Sequence, residues 1–218
     1  MITHEVFLDI ETYPEIPDHM IEILRREIRA PKNIKDPEKI ETAIKKKEEA
    51  LIEKAALSPL TAAVCTVALA WRPVDSASDP QVSVRTTEDD SEIDLLVTLD
   101  EKLATLRTMR VITYNGARFD LPFLAARAMH HALTLRWPWP IGRYNPLHVD
   151  MFDVLGEGSL EKWNILLGGA PKEIGGGQIA EMIDAGKWDQ VEEHCADDVR
   201  MLCRIYDRYK MVVQPKGR

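Results

Sequence analysis

Two acids stand two residues apart at the end of the opening run EVFLDIE, Asp9 and Glu11. On a β-strand that spacing points both side chains to one face of the pleat. Paired carboxylates on one face can hold a hard divalent cation or move a proton. Taken alone, D-x-E is more often the start of a polar loop. A third acid, Asp120, lies between Phe119 and Leu121 in VITYNGARFDLPFL, an otherwise apolar segment. A buried, unpaired carboxylate costs several kcal/mol, so Asp120 needs a partner, a metal or a proton. Its alternative role is to cap the following helix. A fourth, Asp198, falls in the stripe Val191, Cys195, Asp198, Leu202, Ile205, Tyr209, which follows helical steps of three and four. His194 stands one turn earlier, at i−4, within reach of the same place. The alternative is that Asp198 pairs with a buried arginine or with His194 itself. Asp197 lies on a neighbouring, solvated face.

These residues need elements to position them. EVFLDIE reads as a buried strand, AAVCTVALAW as a second and QVSVRT as a third, the last two joined by the polar turn 75–80. VITYN and LHVDMFDV supply the fourth and fifth. Helical periods cover 89–106, 121–132, 159–167 and 179–185, and a long final helix runs from about Trp188 to Tyr209. Three antiparallel strands followed by βα units predict an α/β fold, a mixed five-stranded sheet flanked by helices. After strand 1 the period changes. Residues 19–57 are rich in both charge signs, and Asp36-Pro37-Glu38 is a helix-start signal, so a charged insertion of two amphipathic helices is expected within one domain, 1–218.

The totals narrow the function classes. A net charge of −8 and a pI near 5.3 exclude recognition of nucleic acid by a broad basic face. They do not exclude a site that gathers acids around cations. The three cysteines form no C-x-x-C pair, which excludes a zinc ribbon and predicts reduced, buried thiols. No apolar run approaches a membrane span, and the N-terminus has no basic region followed by an apolar run. A cytoplasmic, non-secreted protein is expected.

VFLDIET, YNGARFDLPFL and HCADDVRML together resemble the three exonuclease motifs of the DEDD superfamily, and most of all those of stand-alone relatives of the family B DNA polymerase proofreading domain. The resemblance spans Asp9 to Asp198. It implies a ribonuclease H-like fold and a 3′→5′ exonuclease acting on single-stranded DNA or DNA 3′ ends. Asp9, Glu11, Asp120 and Asp198 would be the ligands of two divalent cations, Mg²⁺ or Mn²⁺. It further implies that Asn115 positions the terminal nucleotide, with Phe119 and Thr12 lining the same pocket. Two features depart from the pattern. His194 occupies the slot, at i−4 from the last acid, where one subtype carries tyrosine; histidine titrates nearer neutral pH and is the better general base. The second is the helical insertion. An exoribonuclease of the same chemistry, or a catalytically silent nucleic-acid-binding module, remains an alternative.

Other candidates lie outside these motifs. Arg25, Arg26, Lys32, Lys35 and Lys45, Lys46 and Lys47 in the insertion could track phosphates or form a solvated face. Trp137 and Trp139, in a stiff Trp-Pro repeat, could stack on unpaired bases or pack in the core. Gly175-Gly176-Gly177 lacks the Lys-Ser/Thr ending of a phosphate-binding loop and reads as a flexible turn.

Overall fold

The computed structural model describes residues 1–28, 36–74, 76, 78–106, 108–136, 145–172 and 174–213. The described chain separates into two compact units, Met1–Glu11 with Val64–Arg218, and Thr12–Ala63. The boundary falls inside strand β1 (His4–Pro14) and at the start of β2 (Ala62–Pro73).

The larger unit is built on one sheet of five strands in the order β3-β2-β1-β4-β5, where β3 is Gln81–Thr86, β4 Met109–Thr113 and β5 His148–Asp150. β1 runs parallel to β4 with Val6 opposite Val111, β4 parallel to β5 with Thr113 opposite Asp150, and β2 antiparallel to β3. The sheet is therefore mixed and five-stranded, as the strand pattern predicts. Glu5, Val6, Phe7 and Leu8 are all buried, which places β1 at the centre with both faces covered. β3 alternates exposed and half-buried residues, as an edge strand with one wet face does.

The helices enter in the expected order. Counting from the larger unit's first helix, α3 spans Glu92–Leu106 and α4 Asp120–His130, after α1 (Asp18–Glu27) and α2 (Pro37–Glu53) of the smaller unit. Ser91 and Asp94 start α3 with reciprocal bonds: the Ser91 hydroxyl accepts from the Asp94 amide at 3.2 Å, and the Asp94 carboxylate accepts from the Ser91 amide at 3.2 Å. α5 (Met151–Leu155), α6 (Leu160–Leu166) and α7 (Ile179–Asp184) lead to α8 (Trp188–Val213), which packs on the β3 side of the sheet and against α6 and α7. Tyr206 of α8 meets Phe7 of β1 edge-on at 5.7 Å, fastening the helix over the central strand.

One element differs from its sequence reading. LHVDMFDV, read as a strand throughout, leaves the sheet at Asp150 and becomes α5. The Asp150 carboxylate accepts from the Phe152 amide at 3.0 Å, so an N-cap stops the strand inside an apolar run.

The smaller unit contains α1 and α2, the two charged helices expected in 19–57. Lys45, Lys46 and Lys47 are exposed on α2. Arg26 pairs with Glu22 at 3.5 Å, both side chains largely exposed. Lys32, Lys35, Trp137, Trp139 and the side chain of Arg25 lie outside the described residues.

Candidate active site

Three elements of the larger unit bring the acids together. β1 presents Asp9 and Glu11, α4 begins at Asp120, and α8 carries His194 and Asp198 one turn apart. The ligand atoms of Glu11, His194 and Asp198 lie within 4.8 Å of one another, a grouping able to hold a metal ion. His194 Nε2 stands 3.3 Å from Glu11 Oε1 and 3.7 Å from Asp198 Oδ2.

Asp120 is fixed across the fold. Its Oδ1 accepts from the Ile10 amide at 3.1 Å, a bond spanning 110 residues that ties α4 to β1 between Asp9 and Glu11. It does not cap α4: the cap residue is Phe119, and the helix has no side-chain cap bond. Burial and then the neighbouring charges of Glu11 and Asp150 push the Asp120 carboxyl up to about 7, against opposing bonds from its own amide and that of Ile10. Asp9 is raised well above the usual carboxylate range as well. Its burial is the largest cause, followed by the charges of Asp120, Asp198 and Glu11, while Lys172 opposes them. The electrostatic record thus joins all four acids in one field.

Lys172 is the residue that sequence reasoning missed. Its Nζ donates to Asp198 Oδ2 at 2.6 Å and lies 2.5 Å from Oδ1, so Asp198 pairs with a lysine where the sequence suggested an arginine, while His194, the other suggested partner, stands farther off at 3.7 Å. Lys172 sits in the loop GGAPKEIGGG, which has no period and no motif to mark it. A pairing contributed from a loop is legible only once the chain is folded.

One atom of this cluster stays unsatisfied. His194 Nε2 is buried without a hydrogen-bond partner among the described residues, whereas Asp198 Oδ1 lies against Lys172 Nζ. Native proteins leave few buried polar atoms unmet, and a ring nitrogen without a hydrogen bond beside repelling carboxylates is what a cation would satisfy. The hard oxygen donors suit Mg²⁺ or Mn²⁺ better than a thiolate-loving metal. Cys65, Cys195 and Cys203 are free and buried, and burial pushes the Cys65 thiol up to about 12, which keeps it protonated.

The other predicted residues divide. Asn115 stands at the C-terminal end of β4 in a left-handed conformation, φ 66°, beside a cleft of about 440 Å³ that Tyr114, Phe152, Ser159 and Lys172 also line. Phe119 is half-buried and packs on Phe123 at 5.4 Å. Thr12 belongs to the smaller unit, where its hydroxyl donates to the Ala56 carbonyl at 2.6 Å.

A family model described as "Predicted 3'-5' exonuclease related to the exonuclease domain of PolB" matches residues 58–214. That range contains Asp120, Lys172, His194 and Asp198. Asp9 and Glu11 precede it and join the cluster through the fold. No curated protein matches the chain. Among solved structures, the family B DNA polymerase from the hyperthermophilic archaeon Pyrobaculum calidifontis is similar, with a TM-score of 0.60 and 16% identity. The likeness covers 95% of this chain and 24% of that one, and it shows the fold: a mixed five-stranded sheet flanked by helices. No helix among the described residues is long and apolar enough to cross a membrane.

Proposed function

Because this chain belongs to the family of predicted 3′-5′ exonucleases related to the exonuclease domain of PolB, we propose that it hydrolyses the terminal phosphodiester bond of single-stranded DNA or a DNA 3′ end, releasing nucleoside 5′-monophosphates. The observation that carries this reading is the convergence of Glu11, His194 and Asp198, with Asp9 and Asp120 acting on the same field.

Asp9, Glu11, Asp120 and Asp198 would hold two divalent cations, Mg²⁺ or Mn²⁺. When bound, such ions lower the pKa of water and stabilise the attacking and leaving oxygens of an in-line displacement. The protein's own groups do the rest. His194 Nε2, buried and without a hydrogen bond, accepts the proton of the attacking water. The water oxygen forms the new bond to phosphorus, and the bond from phosphorus to the 3′ oxygen of the penultimate nucleotide breaks. That oxygen leaves as a 3′ hydroxyl after taking up a proton. Lys172, at the mouth of the cleft and on Asp198, is placed to meet a phosphate oxygen with a positive charge. Asn115 and Phe119 would seat the terminal nucleotide, and Lys45, Lys46 and Lys47 would be further contacts to backbone phosphates.

The test is digestion of end-labelled single-stranded DNA, duplex DNA and RNA with Mg²⁺ or Mn²⁺. Stepwise loss of the 3′ nucleotide from DNA is expected. Asp198→Asn should reduce turnover by two orders of magnitude or more, roughly the scale of losing a preorganised electrostatic group. His194→Ala should lower turnover on single-stranded DNA by about two orders of magnitude, the scale of losing a general base. Preferential digestion of RNA would transfer the reading to an exoribonuclease, and binding without cleavage would leave a silent module.

A further inference from the structure

Asn115 is held where it is by a residue that belongs to none of the motifs. Asp150, at the end of β5, is buried, and its carboxylate faces three backbone amides. Oδ1 accepts from Asn115 N at 2.7 Å and from Phe152 N at 3.0 Å, while Oδ2 accepts from Ala117 N at 2.8 Å. Two of these amides flank Gly116, in the turn that leads from β4 to Asp120. The turn is demanding. Asn115 has a positive φ, which costs a non-glycine residue energy. Gly116 has room for no side chain, since a Cβ there would lie 2.5 Å from Thr113 Cβ.

The same strand end grips the turn at further points. Thr113 Oγ1 and His148 Nε2 are hydrogen-bonded at 2.8 Å, Arg118 pairs with Asp153 at 2.7 Å, and Tyr114 meets Phe152 edge-on at 5.9 Å. Beyond the turn, the Phe119 amide donates to the Asn115 carbonyl at 3.1 Å, and the Leu121 amide to the Gly116 carbonyl at 3.0 Å. A backbone clamped at Asn115 and Ala117 therefore delivers Asp120 to Ile10 in one rigid step.

The geometry points to Asp150 as a positioning residue for the exonuclease reaction: its carboxylate locks the Asn115-Gly116-Ala117 turn and thereby sets Asn115 and Asp120 relative to the substrate. This role rests on the exonuclease reading above. It differs from the plain helix cap that Asp150 also provides to α5, and the two can be separated. Serine is as good an N-cap as aspartate, so Asp150→Ser keeps the bond to Phe152 while surrendering the clamp on Asn115 and Ala117. Asp150→Asn keeps Oδ1 as acceptor for Asn115 and Phe152 but presents an NH₂ to the Ala117 amide.

The experiment is a double-mutant cycle on kcat/KM for single-stranded DNA, crossing Asp150→Ser with Asn115→Ala. Asp150→Ser alone should lose at least about tenfold, since misplacement of a substrate-positioning group by an ångström costs factors of this order or more. Asp150→Asn should lose less. In the Asn115→Ala background the Asp150→Ser loss should shrink to less than about threefold, because residues that act through one another are non-additive. A purely structural role would lower Tm and leave the two losses multiplying. If Asp150→Ser does not fold, the cycle is run with Asp150→Asn. Full activity in the Asp150 variants, or losses that multiply, overturns the inference while the wild type still digests DNA. A wild type that releases no 3′ nucleotide overturns the exonuclease reading and this role together.

Discussion

At the scale of the residue, the acids are held against their own preference. Asp120 is a buried carboxylate whose pKa is raised to about 7 in the fold. In the unfolded chain it ionises near 4. Below pH 4 both states are protonated and the site costs nothing. As pH rises from 4 to 7 the unfolded carboxylate ionises first, so stability falls, and above 7 the full penalty remains. Asparagine mimics the protonated acid and can still accept from the Ile10 amide. Asp120→Asn should therefore raise the melting temperature of metal-free protein at pH 8, make no difference near pH 4, and abolish exonuclease activity. Three pKa units correspond to at most about 4 kcal/mol, and each kcal/mol to roughly 2–4 °C in a chain of this size. Melting curves at the two pH values measure it, and a lower melting temperature at pH 8 would contradict the assignment. The four acids and His194 were legible because each breaks a pattern: an acid in an apolar stripe, or paired acids on one strand face. Lys172 and Asp150 break none. One lies in an aperiodic loop, and the other sits inside LHVDMFDV, whose apolar run reads as one continuous strand.

At the scale of the element, the strands and long helices follow from hydrophobic period, while their mutual anchorage does not. α3 and α4 are joined by Glu92, whose carboxylate accepts from Arg127 Nη2 at 2.6 Å and bonds His131 Nε2 at 2.5 Å, with the Val64 amide donating to Oε1 at 2.7 Å. Glu92 and Arg127 are 35 positions apart and lie in segments of ordinary helical composition, so nothing local announces the pair. Burial pushes Glu92 upward, yet hydrogen bonds from Arg127, His131 and the Val64 amide outweigh it and hold the carboxyl below its usual value. A depressed carboxylate pKa contributes stability above the unfolded pKa and loses it as pH falls through the folded one. Glu92→Gln should take from the buried Arg127 guanidinium the charge of Glu92, at a cost of up to roughly 3–5 kcal/mol, or on the order of 10 °C in Tm. The difference between wild type and variant should narrow as pH is lowered below 4. Because α4 starts at Asp120, activity should fall with it. An unchanged Tm at neutral pH would show that Arg127 finds another anion.

At the scale of the whole molecule, a chain with a net charge of −8 concentrates much of its unfavourable charge in one place and depends on cations to relieve it. Asp9 and Asp120 are both raised, and the causes after burial are other acids of the cluster or beside it. A divalent ion competes with the protons these groups hold. At pH 5.5 the folded site keeps a proton on Asp120, and binding must expel it. At pH 8 Asp120 has largely lost that proton, so binding has less to expel. Ligand binding to the native state raises stability by RT ln(1 + [L]/Kd), about 2.7 kcal/mol at a hundred times Kd. The Tm gain on adding Mn²⁺ should therefore be several degrees at pH 8 and much smaller at pH 5.5. Asp198→Asn should flatten the response at both. The same titration with Ca²⁺, which prefers more and longer oxygen contacts, should stabilise without supporting turnover, since geometry as well as charge must match. A Tm gain that is independent of pH would mean the ion binds elsewhere on this acidic surface, and loss of the response in Glu22→Gln rather than Asp198→Asn would say where.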